Sequence, residues 1–419
     1  MPKTGAVSDD TMLAARPVAS RPRRRVWMLG PALVAGVAYL DPGNVASNMT
    51  AGAKYGYLLV WVVVLANLIA WLVQYLSAKL GVVTGQSLPE LLGARFRRRG
   101  PRIAYWLQAE LVAIATDIAE VIGGAVALQL LFGLPLVVGG VITGVVSLLL
   151  LTVQRQPRTF EFVIMGLVAV IAVGFVAGVF VAPPSASGIA SGLMPRFEGS
   201  GSVLLAASIL GATIMPHAVY AHSALARDRF ATSTVAVPRL LRATRWDVSI
   251  AMAVAGAVNV CILLLAASAL TGVGGTDTLE GAYAALHDGV GPVVATLFAV
   301  GLLASGLAST SVGAYAGAEI MHGLLHARIP LLVRRAISLI PALLLLAIDA
   351  DPTQALVLSQ VVLSFGIPFA LIPLIALTAR REVLGRYRNR VLTTVAGVAA
   401  SVFLIVLNGM LLVLLTSEA

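Results

Sequence analysis

Charge is scarce in this chain of 419 residues: 11% of positions are Asp, Glu, Lys or Arg, against 59% hydrophobic. Soluble domains carry roughly a quarter charged residues, so no soluble globular class accommodates this balance. Cysteine occurs once, as Cys261 in an apolar stretch, which rules out an intramolecular disulfide and gives redox chemistry no foothold. No apolar core precedes Trp27, so no cleavable signal peptide is expected. Gly-rich phosphate loops with a following Lys, HExxH and Gly-x-Ser-x-Gly are all missing. An ATPase or hydrolase would therefore have no catalytic kit.

What the chain has instead is hydrophobic length. Mean hydropathy is +0.94, and apolar segments of about the 20 residues that cross a bilayer recur throughout. Eleven are expected, at about 28–50, 57–82, 104–132, 134–154, 160–182, 203–225, 247–271, 292–325, 330–349, 354–379 and 391–415. Pro22-Arg23-Arg24-Arg25, ahead of the first, places the N-terminus in the cytoplasm. With that choice, 26 of the 29 Lys and Arg residues fall at cytoplasmic segments, the exceptions being Lys54, Lys79 and Arg196. The outer loops carry acids instead: Asp277, Glu280, Asp288, Asp349 and Asp351. The C-terminus is then outside and the protein belongs in the inner (cytoplasmic) cell membrane. The net charge of +10 thus reports topology and contact with anionic lipid, not a nucleic-acid partner.

Two of the segments are interrupted. The first contains Gly36-Val-Ala-Tyr-Leu-Asp41-Pro-Gly-Asn44, and the sixth contains Gly211-Ala-Thr-Ile-Met215-Pro216-His217. Paired broken helices point to a binding site at the bilayer midplane, and five spans between them imply two halves in opposite orientation. The expected organisation is a cytoplasmic tail, 1–27, and one transmembrane transporter domain, 28–419. Within it, repeat one covers about 28–182, repeat two about 203–379, and helix eleven about 391–415.

Each proline removes the donor for the carbonyl four residues earlier, which frees Ala38 in one break and Ala212 in the other. Asp41, Asn44 and Met215 stand beside those carbonyls. A carboxylate, an amide, two backbone oxygens and a thioether suit Mn²⁺ or Fe²⁺, because the oxygens are hard and the sulfur disfavours Mg²⁺ and Ca²⁺. The plainer alternatives are that Asp41 caps a half-helix and that Met215 fills the core. His217 lies two residues from Met215, on nearly the opposite side of a helix. A proton or gating role suits it better than ligation, with a structural histidine as the alternative.

Span three carries Glu110, Asp117 and Glu120. Spacings of seven and three set them on one face over about 15 Å. In a membrane that stripe faces the bundle interior, as a proton wire or cation path, or as one half of buried salt bridges to Arg334 and Arg335. Asn259 is a buried amide suited to helix–helix bonding. Glu319, His322 and His326 share a helical face, but at the cytoplasmic boundary, where polar groups cost little and a metal role is disfavoured.

Asp41-Pro-Gly-Asn44, Met215-Pro-His217 and Ala115-Thr-Asp117-Ile-Ala-Glu120 together resemble the Nramp family, over about residues 28–415. The resemblance implies an all-α membrane protein of LeuT type: a 5+5 inverted repeat plus one helix, with helices 1 and 6 discontinuous. It implies proton-coupled symport of Mn²⁺, with Fe²⁺ and Cd²⁺ as further substrates, by alternating access. Metal would be held by Asp41, Asn44, Met215 and the carbonyls of Ala38 and Ala212. Protons would pass through Asp41, His217, Asp117 and Glu120 towards Glu110, Arg334 and Arg335. Gly366, Asn259 and His222 are possible accessory positions. Two departures accompany the likeness: Gly366 stands where family members often carry a span-ten glutamine, and Leu307 and Ala308 replace a Gln-Ser pair. No enzyme activity, resident cofactor or obligate protein partner is expected; the metal ion and proton are substrates, and lipid is the surrounding partner. Sodium-coupled uptake of an amino acid or other organic solute is the competing use of such a fold, but Asp41 would repel the substrate's carboxylate.

Overall fold

The computed structural model describes Ala32 and residues 38–153, 157–327 and 330–418. The expected tail, 1–27, and most of 28–37 lie outside the described residues. A 3-10 turn, Ala38–Leu40, leads into α1 (Pro42–Tyr55), then α2 (Val60–Thr84), α3 (Leu88–Arg95), α4 (Arg99–Phe132), α5 (Leu136–Val153) and α6 (Pro157–Val181). The chain continues as α7 (Ala186–Gly192), α8 (Gly199–Ile214), α9 (Pro216–Phe230), α10 (Val237–Ala269) and α11 (Leu279–Gly289). It ends with α12 (Pro292–Leu325), α13 (Leu331–Ala347), α14 (Pro352–Ala379) and, past a helical turn at Arg381–Leu384, α15 (Val391–Glu418). No strand occurs among the described residues.

Seven helical stretches among the described residues are long and apolar enough to cross a membrane, with α8 and α9 forming one of them. The described parts of the other four expected segments form α1, α5, α6 and α13. Backbone that cannot bond to lipid must satisfy itself internally, and an uninterrupted run of Leu, Val and Ala does so as helix. Burial grades the elements. The α8–α9 pair is almost wholly enclosed, whereas α15 turns Leu392, Val406 and Val413 outward at 80%, 62% and 66% exposure, a face suited to lipid.

The interrupted segments sit at the centre. α1 packs on α8 and α10, α8 on α14, α4 on α12, and α9 on α2. Ser77 Oγ donates to the Val219 carbonyl at 2.6 Å, and the backbone N–H of Leu88 donates to Ser223 Oγ at 2.9 Å, so α9 is tied to α2 and α3.

At the arginine-rich face, Arg227 on α9 bridges three elements. It contacts Glu90 of α3 at 2.8 Å, Asp228 at 2.7 Å and Glu319 of α12 at 3.1 Å. Ser87 and Glu90 form a capping box at the start of α3. Burial pushes the Glu90 carboxyl up, but the Ser87 N–H and the Arg227 guanidinium outweigh it and hold the group below the usual carboxylate range. A depressed folded-state value stabilises the fold at neutral pH, and that contribution is lost as pH falls through the carboxylate range. Glu319 is thus a salt-bridge partner, and no group of three or more His, Cys, Asp or Glu able to hold a metal occurs among the described residues.

Candidate metal centre

Asp41 sits in extended backbone between the 3-10 turn and α1, and it caps that helix: Oδ1 accepts from Asn44 N–H at 2.9 Å and Oδ2 from Gly43 N–H at 3.2 Å. The capping alternative is therefore correct, and it orients the carboxylate without using all its lone pairs. Asp41 is fully buried, yet no Lys, Arg or His pairs with it among the described residues. Its other contact is a neutral amide, Gln360 Nε2 at 3.3 Å. A buried carboxylate with no counter-charge is among the costliest arrangements a protein holds.

Side chains pin the rest of the first break. Asn44 Nδ2 donates to the Tyr39 carbonyl at 2.6 Å, Asn259 Nδ2 to the same oxygen at 3.3 Å, and Ser305 Oγ to the Leu40 carbonyl. Asn44 Oδ1 takes a bond from Asn48 Nδ2 at 2.7 Å, which leaves it one lone pair. Ala38 remains the carbonyl whose helical donor Pro42 removed. Asn259 thus holds the 3-10 turn, as its helix-bonding reading expected, and its Oδ1 has no hydrogen-bond partner among the described residues.

In the second break only Met215 leaves the helix, at φ 33° and ψ 97°. Its side chain is wholly buried. Positive φ on a non-glycine residue costs on the order of 1–3 kcal/mol and marks functional sites more often than scaffolding. Pro216 starts α9 and cannot donate to the Ala212 carbonyl.

One residue brings the breaks together. The Gln360 side chain lies against Gly43 and Asp41, and its backbone carbonyl lies so near Gly211 that a Cβ there would collide with it. Gln360 Oε1 has no hydrogen-bond partner among the described residues, so an amide oxygen is spare beside the carboxylate. Gln360 is thus the span-ten amide at the site; Gly366 lies six residues, about 9 Å, further along the helix, where its bare face admits Pro216 and Val112. The sequence signal was an amide in an otherwise apolar span, which by itself is a site hypothesis. In span eight the loss at Leu307 and Ala308 is met by Ser305, which binds the break directly.

Gly211→Val should force α8 away from α14. Overpacking there should cost about 1–3 kcal/mol, read as a lower melting temperature in detergent, while Gly409→Ala, inside α15 with open space around it, should hold or raise that temperature. Equal melting temperatures for both variants would contradict the close contact.

Beside the breaks runs the acid stripe. His217 Nδ1 lies 3.2 Å from Thr116 Oγ1, so α9 reaches α4 next to Asp117. Arg335, fully buried, pairs with Asp117 and, at 3.0 Å, with Glu120. It also donates to Thr310 Oγ1 at 3.2 Å. Arg334 pairs with Glu110 at 2.8 Å. Asp117 Oδ2 and Glu120 Oε1 have no hydrogen-bond partner among the described residues. The salt bridges foreseen for the stripe are therefore present, with oxygens to spare. His222 is apart from this group: Nδ1 bonds to Gln74 Oε1 at 2.6 Å, more than a helical turn beyond His217.

Comparison with known proteins places this arrangement. The family described as "Natural resistance-associated macrophage protein-like", Nramp, matches residues 32–414. The divalent metal cation transporter MntH of Mycobacterium tuberculosis is 60% identical over 392 residues, covering 93% of this chain and 91% of its own. The manganese transporter of Eremococcus coleocola superposes with a TM-score of 0.81 at 33% identity, covering 92% of this chain and 85% of that one. Mhp1, a nucleobase-cation-symport-1 transporter, superposes with a TM-score of 0.61 over 92% of this chain and 90% of its own; at 15% identity the likeness concerns the fold alone, of LeuT type.

Proposed function

Since the chain belongs to the Nramp family and is a multi-pass membrane transporter of divalent metal cations, not an enzyme, we propose that it imports Mn²⁺ together with protons by alternating access. Fe²⁺ and Cd²⁺ are its further substrates. Asp41, fully buried with no cationic partner among the described residues where two broken helices meet, carries the reading. An arriving dication supplies the counter-charge that the fold withholds. Asn44 Oδ1, the carbonyls of Ala38 and Ala212, and the Met215 thioether complete the ligand set, and Gln360 Oε1 joins it.

When the metal binds, a proton on Asp41 becomes superfluous. His217 and the stripe Asp117, Glu120 and Glu110 offer it a route, with Arg335 and Arg334 holding the acids in line. The inverted repeat, with about 28–182 and 203–379 as its halves, supplies the rocking motion that exposes the site to each side in turn. The arginine-rich loops face the cytoplasm, and the protein resides in the inner cell membrane.

Purified protein in liposomes, with Mn²⁺ influx and internal pH followed together, tests this directly. Influx should be accompanied by acidification of the lumen. Asp117→Asn should retain metal influx but reduce the protons carried per metal by half or more. Absence of Mn²⁺ flux would overturn transport; flux at constant pH would overturn coupling; normal coupling in Asp117→Asn would return the stripe to structural duty.

A further inference from the structure

A cavity of about 290 Å³ opens at the end of the bundle opposite the arginine-rich loops. Its walls come from the outer ends of α1, α8 and α14, with Thr50, Lys54, Tyr55, Asp277, Thr353 and Gln354 as its polar lining. Its floor lies immediately above a clasp of small hydroxyls. Ser208 Oγ donates to Ser47 Oγ at 2.6 Å and lies 3.1 Å from the Val357 carbonyl. Thr50 is three residues above Ser47, and Leu205 three residues from Ser208. Below the clasp Ser47 Oγ donates to the Gly43 carbonyl at 2.7 Å, and Gly43 N–H in turn caps Asp41. Cavity, clasp and buried carboxylate are therefore stacked along one line, connected by named bonds.

Two opposite charges face the cavity. Asp277 and Lys54 are both exposed, and neither has an ion-pair partner among the described residues. A lysine here is chemically odd on a cation's path, and it is one of three basic residues that the charge bias leaves away from the cytoplasmic segments. Six waters at about 30 Å³ each occupy less than this volume, so a fully hydrated dication fits without shedding its shell.

We infer that this cavity is the entry chamber for the hydrated divalent cation, that the Ser47–Ser208–Val357 clasp closes its floor, and that Asp277 and Lys54 set the apparent affinity of entry by attraction and repulsion. The inference rests on the transport reading above. Both groups act through space on a doubly charged ion, so their effect is electrostatic, falls with salt, and leaves the chemistry at Asp41 untouched.

Uptake of Mn²⁺ by cells producing the full chain, measured as initial rate against concentration at low and at physiological ionic strength, reads the outer face alone. Lys54→Gln should lower KM about threefold at low ionic strength, Asp277→Asn should raise it about as much, and both differences should shrink as salt rises. Vmax should not change, and the double variant should return KM to near the parent value. Parent-level uptake with KM unmoved in both variants would overturn the chamber while leaving transport intact. Changes in Vmax alone, or KM shifts indifferent to salt, would likewise overturn it. If the unmodified chain carries no Mn²⁺, the chamber falls together with the transport reading.

Discussion

Asp41→Ala should reduce Mn²⁺ uptake to the level of empty liposomes while the protein remains folded and inserted. The two halves of that expectation have different causes. Uptake fails because the only charge in the proposed ligand set is gone, leaving neutral oxygens and one sulfur to desolvate a dication. Folding survives because the lost group is fully buried with no cationic partner among the described residues. Removing a buried carboxyl relieves the cost of keeping it from water, whether it is ionised or holds its proton, whereas the lost helix cap costs only about 1 kcal/mol. Melting temperature should therefore hold steady or rise. Asp41→Asn separates the contributions: asparagine caps as well as aspartate but carries no charge, so it should also fail in uptake and should be at least as stable. A site kept at the expense of stability is common where function demands it. Near-normal Mn²⁺ flux in either variant would remove Asp41 from the metal site.

Both breaks were legible in the residues because proline acts through covalent chemistry: Pro42 and Pro216 cannot donate, wherever the chain folds. Spacing alone was enough to align Glu110, Asp117 and Glu120, and the arginines of α13 were nameable as partners because two cations beside a membrane span need anions. Gln360 was less legible. Its importance comes from its neighbours, since Gly43 and Gly211, far apart in sequence, leave room for its side chain and its carbonyl respectively. A contact made by the absence of Cβ atoms has no periodicity to detect. The Ser47–Ser208 clasp escaped for the same reason: serines in apolar helices usually bond to their own backbone, and only the crossing of α1 with α8 brings these two together. Glu319 and His322, helically spaced like ligands, show the reverse error that spacing invites, because Arg227 lies across from Glu319.

Met215→Ala should change which metals compete more than whether the protein transports. The thioether is the one soft donor in the proposed set, and soft donors favour Mn²⁺, Fe²⁺ and above all Cd²⁺ over Mg²⁺ and Ca²⁺. Without it the remaining oxygens form a site that hard dications fit equally well. Cd²⁺ uptake should fall roughly tenfold, in line with the 10–100-fold losses that follow perturbation of a metal's surroundings. Mg²⁺ or Ca²⁺, supplied in excess, should then inhibit Mn²⁺ influx that they leave alone in the parent. Backbone strain offers a control, because φ at Met215 is 33°. Glycine tolerates that geometry and alanine does not, so Met215→Gly should be the more stable of the two while losing the same discrimination. If the variants differ in selectivity as they differ in stability, the backbone and not the sulfur discriminates between metals. If neither alters the competition profile, the sulfur has no part in the choice of cation.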